Sequence, residues 1–219
     1  MLRRFTDRRD AAAQLAKELR NYAARPNTVV IGLARGGVPV ADTLAAALDL
    51  PSAAVVVCKL GVPGHRETAF GALAWFEGRV LRHINELFVR ELLSRGFDQD
   101  ALDHVEGVER LRLLDRAASY PEPEGRVEGK TVLLADDGLA TGASMCAAVG
   151  ALRTAAPAAV VAVSPVGSID ACRAVSGAAD SLVCLHIPRD FGSVGAYYRN
   201  FGQVSDAEVL GLLRTSRHG

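Results

Sequence analysis

Two adjacent carboxylates, Asp136 and Asp137, follow four apolar residues at 132–135 and precede a loop of small and hydroxylated residues from Gly138 to Ser144. From Ala143 the spacing turns helical. A strand, an acid pair, a short loop and a helix start, in that order, set two acceptors at the carboxyl end of a strand beside free helix N–H groups. Gly138 and Gly142 let the backbone approach an anion closely, and Thr141 and Ser144 add hydroxyl donors. A helix over 143–152 would add its positive end. The set suits a ligand with vicinal hydroxyls and a phosphate, and a ribose 5-phosphate has both. An ordinary strand-to-helix turn with Asp as N-cap explains one acid. It does not explain two acids together with this loop.

Two further segments carry polar chemistry. Residues 33–38, LARGGV, follow another apolar run. Tandem Gly36 and Gly37 bare their amides, and Arg35 brings a forked cation for phosphate. Ligands of open parallel sheets bind outside the carboxyl ends of strands, where this loop lies. A tight strand-to-helix turn is the plainer reading of the same glycines. Residues 57–72 hold Lys59, His65, Arg66 and Glu67, and 59–67, KLGVPGHRE, is punctuated as an exposed loop. Near the C-terminus, Phe191, Tyr197, Tyr198 and Phe201 either stack over a planar ring or plug the core.

Positioning these groups calls for alternating strands and helices. Helical spacing covers 7–24, with Ala11, Leu15, Ala16, Leu19 and Tyr22 on one side. Apolar strands are expected at 28–33, 53–57, 132–135, 158–163 and 181–185, and one or two short strands within 68–80. Pro39 fits the first turn of a helix ending near Leu48. Asn85 caps a helix to about Arg95, and 101–118 repeats helical spacing through Leu102, Val105, Val108, Leu111 and Leu114. Residues 120–129 read as a connection, 169–175 and 206–213 as helices, and 214–219 as a frayed tail. Buried strands alternating with helices imply an α/β fold, a mainly parallel, twisted, Rossmann-like sheet flanked by helices.

The chain has 219 residues, enough for one domain with a substantial core. Lys plus Arg and Asp plus Glu number 25 each, so net charge points to neither nucleic acid nor membrane. Cys58, Cys146, Cys172 and Cys184 show no metal-ligand spacing, and the five histidines form no cluster. No secretory leader or membrane-spanning run appears, and the chain reads as cytoplasmic. Neither GxGxxG nor GxxxxGK[ST] stands in the required context.

The 132–144 run resembles the 5-phosphoribosyl 1-pyrophosphate (PRPP) signature of type I phosphoribosyltransferases. The resemblance implies that fold, with a small hood or lid region. It implies that Asp136 and Asp137 hold the ribose hydroxyls, directly or through Mg²⁺. Gly138, Leu139, Ala140, Thr141, Gly142, Ala143 and Ser144 would wrap the 5′-phosphate. LARGG resembles the family's pyrophosphate loop, which often holds a cis peptide, here between Ala34 and Arg35. Residues 57–72 resemble its mobile lid. In the orotate enzymes that lid carries Arg-Lys, then His, Gly and Glu; here Cys58 stands in place of the Arg and Lys59 remains.

RGG-V-P-V, K-L-G-V-P-G and DDG-x-ATG in this order, with the tail VGAYYRNFGQVSDAEV, are similar to a stand-alone bacterial group of phosphoribosyltransferases with no assigned acceptor. That likeness covers about 5–213 of a single domain over 1–219. Within it lie a lid at about 58–80, a helical insertion at about 85–118 and a C-terminal aromatic segment at 191–213. It implies transfer of phosphoribosyl from PRPP, with Mg²⁺, to an unidentified base, with Asp136, Asp137, Lys59 and Arg35 catalytic. Ala34, Arg35, Gly36 and Gly37 would bind the donor, and a homodimer is allowed. Ala140 stands where 6-oxopurine enzymes carry Asp, and DDGLATG is closer to the loop of adenine enzymes. A PRPP-sensing regulator of the same fold remains the alternative.

Overall fold

The computed structural model describes residues 4–76, 78–120 and 127–215. Residues 121–126 of the expected connection and 216–219 of the expected tail lie outside this set. Five strands, β1 (Thr28–Ala34), β2 (Ser52–Val62), β5 (Thr131–Ala135), β6 (Ala159–Val166) and β7 (Ser181–His186), run parallel. Two more, β3 (His65–Phe76) and β4 (Arg79–Ile84), extend the sheet antiparallel beyond β2. The order is β4-β3-β2-β1-β5-β6-β7. The expected α/β architecture is therefore present, and β1 is buried along nearly its whole length because helices cover both faces.

Strand alternation sorts the core. Val29, Ile31 and Leu33 of β1, with Val132, Leu134 and Val160, pack against α5 (Ala143–Arg153) and α6 (Ile169–Ala178). On the opposite face Val30, Leu133 and Val161 meet α1 (Arg8–Glu18) and α2 (Gly37–Leu48). Further along that face, Ala54, Val56 and Leu60 meet α4 (Gln99–Ala117) and α7 (Asp206–Thr215). Local caps fix the helix starts. Asp7 accepts from Asp10 N, Asn85 from Phe88 N at the head of α3 (Glu86–Ser94), and Ser168 from Ala171 N. Asp7, expected as the first helical residue of α1, is thus its cap.

Two expectations are corrected. Residues 59–67 are not an exposed loop, because β2 and β3 continue as a hairpin to a turn at Pro63-Gly64, where Gly64 has φ +79°. Leu60 and Val62 are buried at 0% and 2% exposure. Each such burial is worth about 2 kcal/mol, more than the glycines around them cost. In α4, Leu111 and Leu114 face solvent at 70% and 43% exposure, while Leu113 is fully buried. The inward row is Leu102, Leu113 and Ala117, eleven and four residues apart, which keeps one helical face.

Candidate active site

The chain leaves β1 toward β2 on one side and leaves β5 toward β6 on the other. The carboxyl ends of β1 and β5 therefore flank the crevice where open α/β sheets bind ligands. Ala34 ends β1, and its peptide to Arg35 is cis, as the resemblance implied. Asp136 and Asp137 leave the end of β5. Sequence reasoning placed both loops on one edge of the sheet, and the structure brings them into contact.

A cavity of about 90 Å³ lies beside the acid pair. Asp136, Lys59 and the run from Gly138 to Met145 line it. Gly142 caps α5 with φ +75°, and the first intrahelical bond there is Cys146 N to Gly142 O. The amides of Ala143, Ser144 and Met145 thus have no partner within the helix, although Ala143 N donates to Thr141 Oγ1 at 3.4 Å, and such a helix start suits an anion. The loop is held from behind. Leu139 is buried, its N–H donates to Val166 O, and Ser168 Oγ donates to Ala140 O at 2.8 Å. Leu139 therefore shapes the loop from the core.

The two acids have different surroundings. Asp136 faces the cavity and accepts from Asp137 N at 2.9 Å. Burial, then the neighbouring Asp137 charge, hold its carboxyl well above the usual range, with Arg8 and Lys59 pulling the other way. Asp137 points away from the cavity, where its Oδ2 accepts from Arg8 Nε at 2.8 Å. Burial raises its carboxyl too, and Arg8 opposes that. The Arg8 guanidinium lies 4.1 Å over the Phe201 ring and donates to Gly202 O. Tyr198 stacks on Phe201 and donates its hydroxyl to Asp137 O at 2.6 Å.

Arg8 was missed by sequence reasoning. It sits 129 residues from Asp137 in a run that reads only as a helix start, and nothing local signals the contact. The pairing of Phe5 and Thr6 with 197–200 brings the two chain ends together there. Of the two readings of the aromatic segment, Tyr197 and Tyr198 fit the plug, both being 4% exposed, whereas Phe201 lies under Arg8.

The tandem glycines have a packing reason. A Cβ on Gly36 would collide with the Asp137 carboxylate, one on Gly37 with Ala135 O, and one on Gly138 with Val194. Arg35 forms a long ion pair with Asp206, 3.7 Å, which also accepts from Tyr120 Oη. Lys59 projects on the α5 face with Val57, toward the cavity, while Cys58 projects on the α4 face. The Cys58 thiol donates to Glu109 O, and burial pushes it up to about 11. The Arg-to-Cys difference in the lid resemblance therefore falls on the side away from the loop cavity. His65 makes an edge contact with Phe97 and is not among the cavity-lining residues, and the side chains of Arg66 and Glu67 lie outside the described set.

No protein-family model matches the chain. Proteins from two strains of Mycobacterium tuberculosis, each named "Putative phosphoribosyl transferase", are 41% identical to it over 211 residues. The alignment covers 95% of this chain and 46% of each relative. The chain belongs to the phosphoribosyltransferase family. Its sequence motifs are those that resemble the type I members, and it spans about half the length of the curated relatives it matches. A solved structure of a Thermus thermophilus protein shares the fold at a TM-score of 0.80. The two chains are 39% identical, with 96% of this chain and 97% of that one covered. Among the described residues no helix is long and apolar enough to cross a membrane.

Proposed function

We propose that this phosphoribosyltransferase uses PRPP as donor and moves its 5-phosphoribosyl group to a nitrogen nucleophile, releasing pyrophosphate. The observation that carries the reading is the loop cavity. There the α5 N-terminus, a carboxylate and a lysine converge at the carboxyl ends of the strands, where open parallel sheets bind ligands. The amides and hydroxyls of 138–144 hold the 5′-phosphate, and Asp136 accepts from a ribose hydroxyl. Asp137, held by Arg8 and Tyr198, orients the Asp136 carboxylate through its own N–H, while Arg8 keeps the pair's combined charge in check. Lys59 and Arg35 are the cations for the departing pyrophosphate.

The nitrogen lone pair forms the bond to C1 as the C1–O bond breaks. The electron pair leaves with pyrophosphate, and the nitrogen's proton passes to water. Orientation and fixed charge do most of the catalysis, with no covalent protein intermediate. Asp136 is a hard oxygen donor of the kind Mg²⁺ prefers, and that ion would neutralise charge on the donor's oxygens. The described residues hold no group of three or more candidate metal ligands, so most of its ligands would come from PRPP and water.

The test pairs calorimetry of PRPP binding, with Mg²⁺, with pyrophosphate release across a panel of bases. Saturable PRPP binding that Asp136→Asn abolishes, together with pyrophosphate release, is the expected result. Binding with no product from any base would make the protein a PRPP sensor. PRPP binding left intact in Asp136→Asn and Asp137→Asn would end the proposal.

A further inference from the structure

A second and larger cleft lies on the α4 side of the sheet, across β2 from the loop cavity. One lobe, about 450 Å³, sits between the hairpin turn and α4, where Val62 and Pro63 face Val105 and Val108. The other, about 350 Å³, runs along α4 past Cys58 to Arg116. Glu109 and Arg112 line both, so the lobes meet there. Lys59 stands on the strand between the two sites and lines both the first lobe and the loop cavity of Asp136.

The charges in the cleft suit a compact anion. Arg112 and Arg116 are one turn apart on α4, so their guanidinium groups share one face of the helix. Glu109 is the one carboxylate among the described lining residues, and Arg112 already pairs with it at 2.6 Å. Arg116 donates from Nη2 to Val57 O at 2.9 Å, yet its buried Nε–H has no acceptor among the described residues. Bracing β2 does not require that donor to stay orphaned, and leaving it so is costly without a ligand or water. Forked donors of this kind match the oxygens of a phosphate. Cys58 adds no negative charge, because burial pushes its thiol up to about 11. Val62, Pro63, Val105 and Val108 give the hairpin lobe an apolar wall, which inorganic phosphate would leave unused.

We propose that this cleft is a regulatory site for a small phosphate monoester with an apolar body, and that filling it draws Lys59 away from the donor cavity. Arg112 and the Nε–H of Arg116 hold the phosphate, and the ester group lies on the valine wall. One lysine serves one anion at a time, so the two sites are antagonists. The cleft ligand weakens PRPP, and PRPP weakens the cleft ligand by the same factor. The regulatory half rests on the PRPP-donor reading; the binding half does not. Inorganic phosphate carries the same headgroup, and the donor loop is the other place where a phosphate can lodge, so the experiment separates these cases.

Calorimetry on the whole chain titrates phenyl phosphate, and in parallel inorganic phosphate, first without PRPP. Both are repeated on Arg112→Gln, whose side chain is 68% exposed, so that the core is spared. Phenyl phosphate is expected to bind about tenfold tighter than inorganic phosphate, through the apolar wall. It should lose about tenfold in Arg112→Gln, and Arg112→Lys should recover part of that loss. PRPP with Mg²⁺ is then titrated at rising phenyl phosphate. Its affinity should fall about tenfold and level off, as coupling between distinct sites requires, and should change less than about twofold over the same range in Arg112→Gln or Lys59→Gln. Equal binding of phenyl phosphate to the wild-type chain and Arg112→Gln overturns the proposal, and so does equal binding of the two phosphates. A PRPP affinity that keeps falling without a plateau puts the phosphate in the donor loop and overturns it too. An undiminished response in Lys59→Gln overturns the part given to Lys59. Failure of the wild-type chain to bind PRPP would end the donor reading and the regulatory half with it, while the phosphate site stands or falls on the first titration.

Discussion

On the loop side of Lys59, Gly36, Gly37 and Gly138 have no room for even one added carbon. On the α4 side, lobes of about 450 and 350 Å³ lie open between charged side chains. The first region is closed by distant chain segments. Arg8 arrives from the N-terminus and Tyr198, Val194 and Phe201 from near the C-terminus, all converging on Asp137 or its loop. The second is made from one hairpin and one helix, close in sequence. A site closed by several distant segments tolerates little change, whereas a cleft between one hairpin and one helix can vary without disturbing the sheet. The difference also separates two carboxylates adjacent in sequence: Asp136 lines the loop cavity, and Asp137 is paired with Arg8 in the frame.

The largest effect is expected where the cradle meets the ligand. Asp136→Asn should lower kcat/KM for PRPP by roughly 10²–10³-fold, as measured by pyrophosphate release, because it removes a charge placed at the reacting ribose. Unchanged kinetics would place the donor elsewhere and break the contrast.

Next is the frame. Arg8→Gln leaves the Asp137 carboxylate enclosed without its cation and should cost about 3 kcal/mol in urea unfolding at pH 7. Burial already raises this carboxyl above its unfolded value, and losing Arg8 raises it further. Between those two values the folded state binds more protons than the unfolded one, so stability falls as pH rises through that window. The penalty of Arg8→Gln should therefore shrink when unfolding is repeated near pH 4. An equal penalty at both values would mean that lost stacking on Phe201, not charge, is what the substitution removes.

Much of the cradle was legible in the sequence because it is local. The 132–144 run contains its own strand, acids, loop and helix start, and the LARGG run its own turn; together they placed both loops at strand carboxyl ends, and the family resemblance implied the cis bond at Ala34. The roles of Asp137 and Gly36 were not legible, because both depend on residues far off in the chain. Leu60 and Val62 were hidden by a different conflict: Gly61, Pro63 and Gly64 punctuate like a loop, yet the alternation between them is that of a strand. Helix α4 offers leucines at several helical spacings, and only packing on β2 and β3 selects Leu113 over Leu111 and Leu114.

The smallest effects come from paired glycines, one in each region. Gly36→Ala drives a methyl into the Asp137 carboxylate and should destabilise by about 1–3 kcal/mol, with weaker PRPP binding as Asp137 and Arg8 shift. Gly107 lies in the interior of α4, exposed, with nothing near an added carbon. Its replacement by Ala should stabilise the fold by about 0.5–1 kcal/mol through the helix alone. Gly107 lies between Val105 and Val108, which line the α4 cleft, so the same variant acts on that region and not on the loop cavity. Urea unfolding should then move in opposite directions for the two alanines, while PRPP affinity changes only for the first. A loss of PRPP affinity in Gly107→Ala would mean that α4 moves with the donor site, and the two sides of Lys59 would have to be treated as one unit.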